Sequence, residues 1–161
     1  MKSVPFREVF FQLPDDKDFF KQFPDDDACL LHLMKVRYGL RHVCRKCDRE
    51  SNFYRLPKRK AFFCQHCGDH VYPMAGTMFQ GTHVALQLWF RAIHLFAKSR
   101  HDIRAKELER QLGLPYPTCW RMKHQIRKLM AASIIGAIRK GKAGVAVRAV
   151  ATRFASNTSV L

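Results

Sequence analysis

No aspartate or glutamate occurs anywhere after Glu109 in this 161-residue chain. Two-metal phosphoryl transfer needs carboxylates to hold its hard divalent cations about 3.5–4 Å apart, so the last third of the sequence offers no ligands for such chemistry. Long apolar runs are also missing. The longest uncharged apolar stretch is "MAASIIGAI" at 130–138, far short of the roughly 20 residues a membrane-spanning helix requires. The opening residues lack the basic start, apolar core and small-residue cleavage site of a secretory signal, which points to a cytoplasmic protein. Acids are scarce overall: 13 Asp and Glu face 29 Lys and Arg, a formal net charge of +16. The first 30 residues are net acidic, and the excess of base lies beyond them. Self-repulsion of this size is relieved by a polyanion, and nucleic acid is the leading partner class. An ordinary basic soluble protein is the plainer alternative. With 47% hydrophobic residues the chain carries enough apolar surface to fold.

Four of the six cysteines fall into a regular arrangement, Cys44-x-x-Cys47 and Cys64-x-x-Cys67. A lone C-x-x-C suits a redox pair, whereas two of them at this separation suit a four-thiolate zinc site in a reducing compartment. Each C-x-x-C turn presents two sulfurs to one cation, and two turns complete a tetrahedron with Zn–S bonds of about 2.3 Å. Four thiolates close the coordination shell and leave no position for water, so one structural zinc is expected. His66 and His70 would lie outside that shell. The zinc-deaminase signature is excluded, since no H-x-E occurs in the sequence. Around the cysteines, "SNFYRL", "KAFFC" and "HVYP" are short aromatic and β-branched runs broken by "PKRK" and "CGD". That pattern predicts a hairpin plus a third antiparallel strand, a zinc ribbon. Cys29 and Cys119 stand within apolar helical patterns and read as small core residues.

Helices are predicted on both sides. "FPDDDACLLHLMKVRYG" opens with Pro24 and three carboxylates and closes at Gly39, with Cys29, Leu30, Leu33 and Met34 on one face. Residues 1–23 read as a short helix or arm covering the ribbon. Downstream, Thr82 is the expected cap of a helix whose buried face comprises Ala85, Leu88, Trp89, Ala92, Ile93 and Phe96. Asp102 is the expected cap of a second helix, with Ala105, Leu108 and Leu112 inward and Gly113 as its stop. A third, "TCWRMKHQIRKLM", buries Cys119, Met122, Ile126, Leu129 and Met130, and Trp120 is expected to pack in the bundle.

A short helix, a glycine turn and a strongly basic helix follow the helix-turn-helix plan, in which the later helix enters the major groove of DNA. Thr118, Arg121, Gln125 and Lys128 would line its outer face, flanked by Lys123 and Arg127. Arg and Gln read guanine and adenine edges bidentately, and lysines neutralise phosphate; a plain solvated basic face is the competing reading. The fold class is therefore α+β. An N-terminal arm (1–23) leads to a helix plus a three-stranded zinc ribbon (24–80), a helix-turn-helix region (82–133) and a basic, disordered tail (134–161).

The segments "FPDDDACLLHL", "RYG", "CRKC", "FFCQHC", "AGTMFQGTHVALQLWFRAIHLF" and "AKELERQLGLPYPTCWRMKHQIRKLM", in this order, resemble the amino-terminal half of bacterial insertion-sequence transposases. Members of that family begin with a zinc ribbon, continue with a helix-turn-helix and end in a ribonuclease-H-like catalytic domain. The resemblance covers roughly residues 20–131. It implies zinc ligation by Cys44, Cys47, Cys64 and Cys67 and recognition of the transposon's terminal repeats, in double-stranded DNA, by the helix from Pro117 to Met130. It also implies residence at the bacterial nucleoid, with a homodimer left open and no membrane or small-molecule substrate involved. Family members continue into a strand with a D-E-T-Y-like stretch; here the chain reads "IIGAIRKGKAGVAVRAVATRFASNTSVL". The expectation is a reading frame cut short or shifted, which binds DNA without catalysing strand transfer. A free-standing zinc-ribbon transcription regulator or an RNA-binding protein is the alternative.

Overall fold

The computed structural model describes residues 16–99 and 102–139, with side chains over 18–99 and 102–131. Most of the arm and most of the basic tail lie outside the described residues. The chain divides into two compact units, meeting between Asp102 and Ile103.

The first unit begins with helix α1, Asp16–Gln22, which buries Phe19. Helix α2, Asp26–Arg37, follows a cap of the expected kind: the Asp25 carboxylate accepts a 2.7 Å hydrogen bond from the Ala28 N–H. Asp26 and Asp27 in the first turn complement the positive end of the helix dipole. Cys29, Leu30, Leu33 and Met34 are buried along one face, as their spacing predicts. Gly39 adopts φ 78° and donates to the Met34 and Lys35 carbonyls, ending the helix in the left-handed position that favours glycine.

Four antiparallel strands follow in the order β1 (Arg41–Val43), β2 (Glu50–Leu56), β3 (Ala61–Cys64) and β4 (His70–Val71). The three expected runs are β2, β3 and β4, and β1 is an addition to them. Its Arg41–Val43 residues pair with Asn52–Glu50 and carry no apolar alternation that would announce a strand. In β2, Ser51 and Phe53 point inward while Asn52 and Tyr54 face water. Arg55 fastens the β2–β3 turn by donating to the carbonyls of Leu56, Arg59 and Ala61. The same guanidinium reaches Asp27 Oδ1 at 2.7 Å, joining the ribbon to the start of α2.

Helix α3, Leu86–Lys98, is the centre of this unit. Phe90 packs on Phe23 at a ring separation of 5.0 Å, and His94 lies 5.1 Å from Phe19. Its inward residues differ from the expected set. Leu86, Phe90 and His94 are buried with Trp89, Ala92, Ile93 and Phe96, while Ala85 is exposed. Thr82 does not cap the helix either; its hydroxyl accepts from the Trp89 indole N–H at 3.0 Å and the Val84 N–H. The cap comes instead from another helix. Asp26 Oδ1 accepts the Gln87 N–H at 2.9 Å, and the Gln87 amide donates to the Phe23 and Pro24 carbonyls.

The second unit contains helix α4, Ala105–Leu112, and helix α5, Tyr116–Arg139. Arg104, not Asp102, occupies the cap position of α4, and no side-chain cap bond is made there. Gly113 closes α4 at φ 66°. Ala105, Leu108 and Leu112 are buried, as are Cys119, Met122 and Ile126 of α5, at the spacing of two facing helical stripes. Because α5 runs to Arg139, the first residues read as tail continue this helix. Among the described residues no helix is long and apolar enough to cross a membrane.

Candidate metal centre and basic helix face

Each zinc knuckle is a tight turn built by the strand that precedes it. After β1, the Cys44 carbonyl accepts from the Asp48 N–H, and the Arg49 carbonyl accepts from the Cys44 N–H. After β3 the same pattern recurs, with Gly68 N–H donating to Cys64 and Cys64 N–H donating to Asp69. The residue after the second cysteine of each turn needs a positive φ. Gly68 provides 69° freely, while Asp48 is held at 50° and is the one non-glycine residue with positive φ among the described residues. Strand pairing between β1, β2 and β3 then brings the two knuckles together.

The sulfurs of Cys44, Cys47, Cys64 and Cys67 all lie within 4.8 Å of one another. Cys44 and Cys67 are 3.5 Å apart, and Cys47 and Cys64 are 4.0 Å apart. A tetrahedron with Zn–S bonds of about 2.3 Å has edges of about 3.8 Å, so the cage matches one zinc ion with little rearrangement. Uncompensated thiols would gain nothing from such crowding. Cys44 and Cys64 are buried, and Cys47 and Cys67 are half-buried. His66 and His70 are exposed and stand outside this group.

Local hydrogen bonds prepare one sulfur for a cation. Burial raises the Cys64 thiol, but the Ser51 hydroxyl, 3.1 Å away, and the backbone N–H groups of Cys67 and His66 together bring it down to about 6. Cys67 moves the other way. The Asp69 N–H lowers it, whereas burial and the thiols of Cys44, Cys64 and Cys47 together push it up to about 12. Cys29 is raised to about 12 by burial and by Asp26 and Asp25, and Cys119 is raised by burial and Glu109. Both are core thiols held protonated and unreactive.

Helix α5 turns Arg121, Gln125 and Lys128 to solvent opposite its buried stripe. Thr118, Lys123 and Arg127 are half-buried at its margins. Trp120 departs from expectation: instead of packing in the bundle it is 49% exposed, with its ring 4.1 Å from that of His124. Tyr116, Pro117, Trp120 and His124 thus share the solvent face with the polar residues. The helical spacing contained this signal, because Trp120 follows the buried Cys119 and precedes the exposed Arg121.

Comparison with known proteins bears on the ribbon first. Residues 24–70 match the transposase zinc-ribbon domain of the IS1595 type, a span that takes in α2, strands β1 to β3, the first residue of β4 and the four clustered cysteines. Over 116 residues the chain is 26% identical to an uncharacterised protein in the transposable element ISH50 of Halobacterium salinarum. That similarity covers 70% of this chain but 38% of the relative's own length. No solved structure matches the chain.

Proposed function

We propose that the chain is the DNA-binding portion of a transposase, in which a structural zinc on Cys44, Cys47, Cys64 and Cys67 stabilises the ribbon and α5 engages the terminal repeats of a mobile element. One observation carries this reading: a transposase-type zinc ribbon continues, in one polypeptide, into a helix pair whose second member buries one face and presents Arg121, Gln125 and Lys128 on the other. Arg121 and Gln125 are suited to base edges, and Lys128, with Lys123 and Arg127 beside it, to phosphates; Thr118 sits where a backbone contact would orient the helix. The positive charge of the whole chain adds long-range attraction to a duplex.

The ribbon performs no chemistry in this proposal, because four thiolates leave zinc no vacant coordination position. Strand transfer would draw on carboxylates outside residues 110–161, since nothing beyond Glu109 in this sequence is acidic.

Binding-site selection on the zinc-loaded chain tests the proposal. Enrichment of the element's terminal repeats is expected, and contact with about six phosphates gives a log–log salt slope near −5. Equal affinity for random duplexes, or preference for structured RNA, would replace it with a general binder or an RNA-binding protein. Translation of the neighbouring nucleotides in all frames tests the supply of chemistry: a D-E-T-Y-like continuation is expected.

A further inference from the structure

Beside the zinc knuckles lies a cleft of about 380 Å³ that the duplex-binding proposal does not use. Both outer strands of the sheet line it, β1 through His42 and Val43 and β4 through His70, Val71 and the adjoining Tyr72. The end of α2 closes one side with Arg37 and Tyr38. Its volume is in the range of small-ligand sites, roughly 300–1,000 Å³. We infer that this cleft binds an unpaired nucleotide of a single-stranded nucleic acid.

The walls explain the choice of ligand. On one side the rings are stacked and fixed. His42 lies 3.9 Å from Phe53 with the planes 5° apart, and Tyr38 stacks on His42 at 5.8 Å. The His42 Nδ1 sits 3.2 Å from the Gly39 carbonyl, which fixes the ring's rotation. The Arg37 guanidinium lies 5.2 Å from the Tyr38 ring centre and donates to the Pro73 and Ala75 carbonyls, so its charge is held in place. On the other side Tyr72 is 45% exposed, and the His70 ring stands perpendicular to it at 6.4 Å. An exposed aromatic ring is therefore offered to a planar guest, and the opposite wall is already held in place, which keeps the ordering cost on that side low.

Charge separates a nucleotide from a peptide. Arg37 and the exposed Arg45 stand at the cleft against one carboxylate, Asp69, an arrangement that favours an anionic backbone. The base must be unpaired and unstacked, since in a duplex both of its faces are covered by neighbours, whereas every free base has a π-face to offer. The cleft belongs to the first unit and α5 to the second, so this assignment stands or falls apart from duplex recognition.

The test compares two probes on the full zinc-loaded chain: a fluorescent oligothymidylate and an abasic strand of equal length, which keeps every phosphate and lacks every base. Wild type should bind the oligothymidylate about tenfold more tightly than the abasic strand, the size of one base–aromatic stack. Tyr72→Ala should abolish that preference while leaving affinity for a duplex and zinc content unchanged, and Tyr72→Phe should retain it. Arg121→Ala serves as the control for the other unit and should leave the preference intact. Equal affinity of wild type for the two strands would overturn the inference, as would a preference that survives in Tyr72→Ala.

Discussion

Removing the metal should unfold the ribbon while leaving the α4–α5 unit intact. Within the sheet, Phe53 and Phe62 are the large buried side chains, and burying each contributes roughly 1.5–3 kcal/mol. Against this stands the ordering of the 7 residues of β2 and the 4 of β3, at roughly 1–2 kcal/mol per residue for the backbone alone. Two aromatic rings do not offset that cost. Structural zinc contributes about 10–16 kcal/mol in small peptides near neutral pH, as much as the whole stability of a typical domain. Little of it is lost to rearrangement here, because the sulfur separations of 3.5 and 4.0 Å already bracket the tetrahedral edge. The assay is hydrogen exchange on the full chain before and after chelation, with zinc measured by elemental analysis. One zinc per chain is expected at the start. After chelation the amides of Glu50–Leu56 and Ala61–Cys64 should lose protection, and those of Ala105–Leu112 should keep it. A metal-free chain whose strand amides remain protected would refute the reasoning outright.

Zinc affinity should fall on acidification. Cys67, pushed up to about 12, carries its proton at neutral pH and must release it to bind, whereas Cys64, at about 6, is already ionised and takes up a proton only below that. Competition with a chromophoric chelator should show affinity rising by about tenfold per pH unit for each proton displaced, and a flat profile would contradict the assignment. On the basic helix, Arg121→Ala should cost about 1–3 kcal/mol on the selected site and relax its sequence preference, while Lys128→Ala should weaken all duplexes alike and lower the salt slope by about 1. Wild-type binding by both variants would remove α5 from the interface. In the core of the second unit, Leu108 is fully buried, and Leu108→Ala should lower stability by about 2–5 kcal/mol in urea unfolding without changing zinc content.

The cysteine cluster was legible because coordination chemistry imposes a spacing that survives in one dimension. The buried faces of α2, α4 and α5 were legible for a similar reason, since each meets its neighbour along a single stripe. Helix α3 was not, because Leu86, Phe90 and His94 are buried along with Trp89, Ala92, Ile93 and Phe96 while the expected Ala85 is exposed and Leu88 half-buried, and a helix packed on several sides has no single periodicity. The caps at Thr82 and Asp102 were misplaced by local reasoning: the group that caps α3 is Asp26, 61 positions away from Gln87. Strand β1 is three residues long with two of them exposed, and only its pairing with β2 defines it. The exposed ring of Trp120 follows from its angular position on α5, one residue out of phase with the buried stripe. The cleft beside the zinc knuckles was beyond sequence reading, because its walls come from three separate stretches that the sheet gathers.

The bond between Gln87 and Asp26 turns everything from α2 to α3 into a loop with a fastened neck. While that neck holds, the two C-x-x-C turns remain at high effective concentration for each other, so once one turn has captured a zinc ion, closure of the other turn on it is an intramolecular step that does not slow on dilution. The neck is fastened at several points: the Gln87 amide also reaches the Phe23 and Pro24 carbonyls, and Lys60 of the β2–β3 turn lies 4.0 Å from Asp26 Oδ2, so losing the Asp26 carboxylate would loosen the closure without undoing all of it.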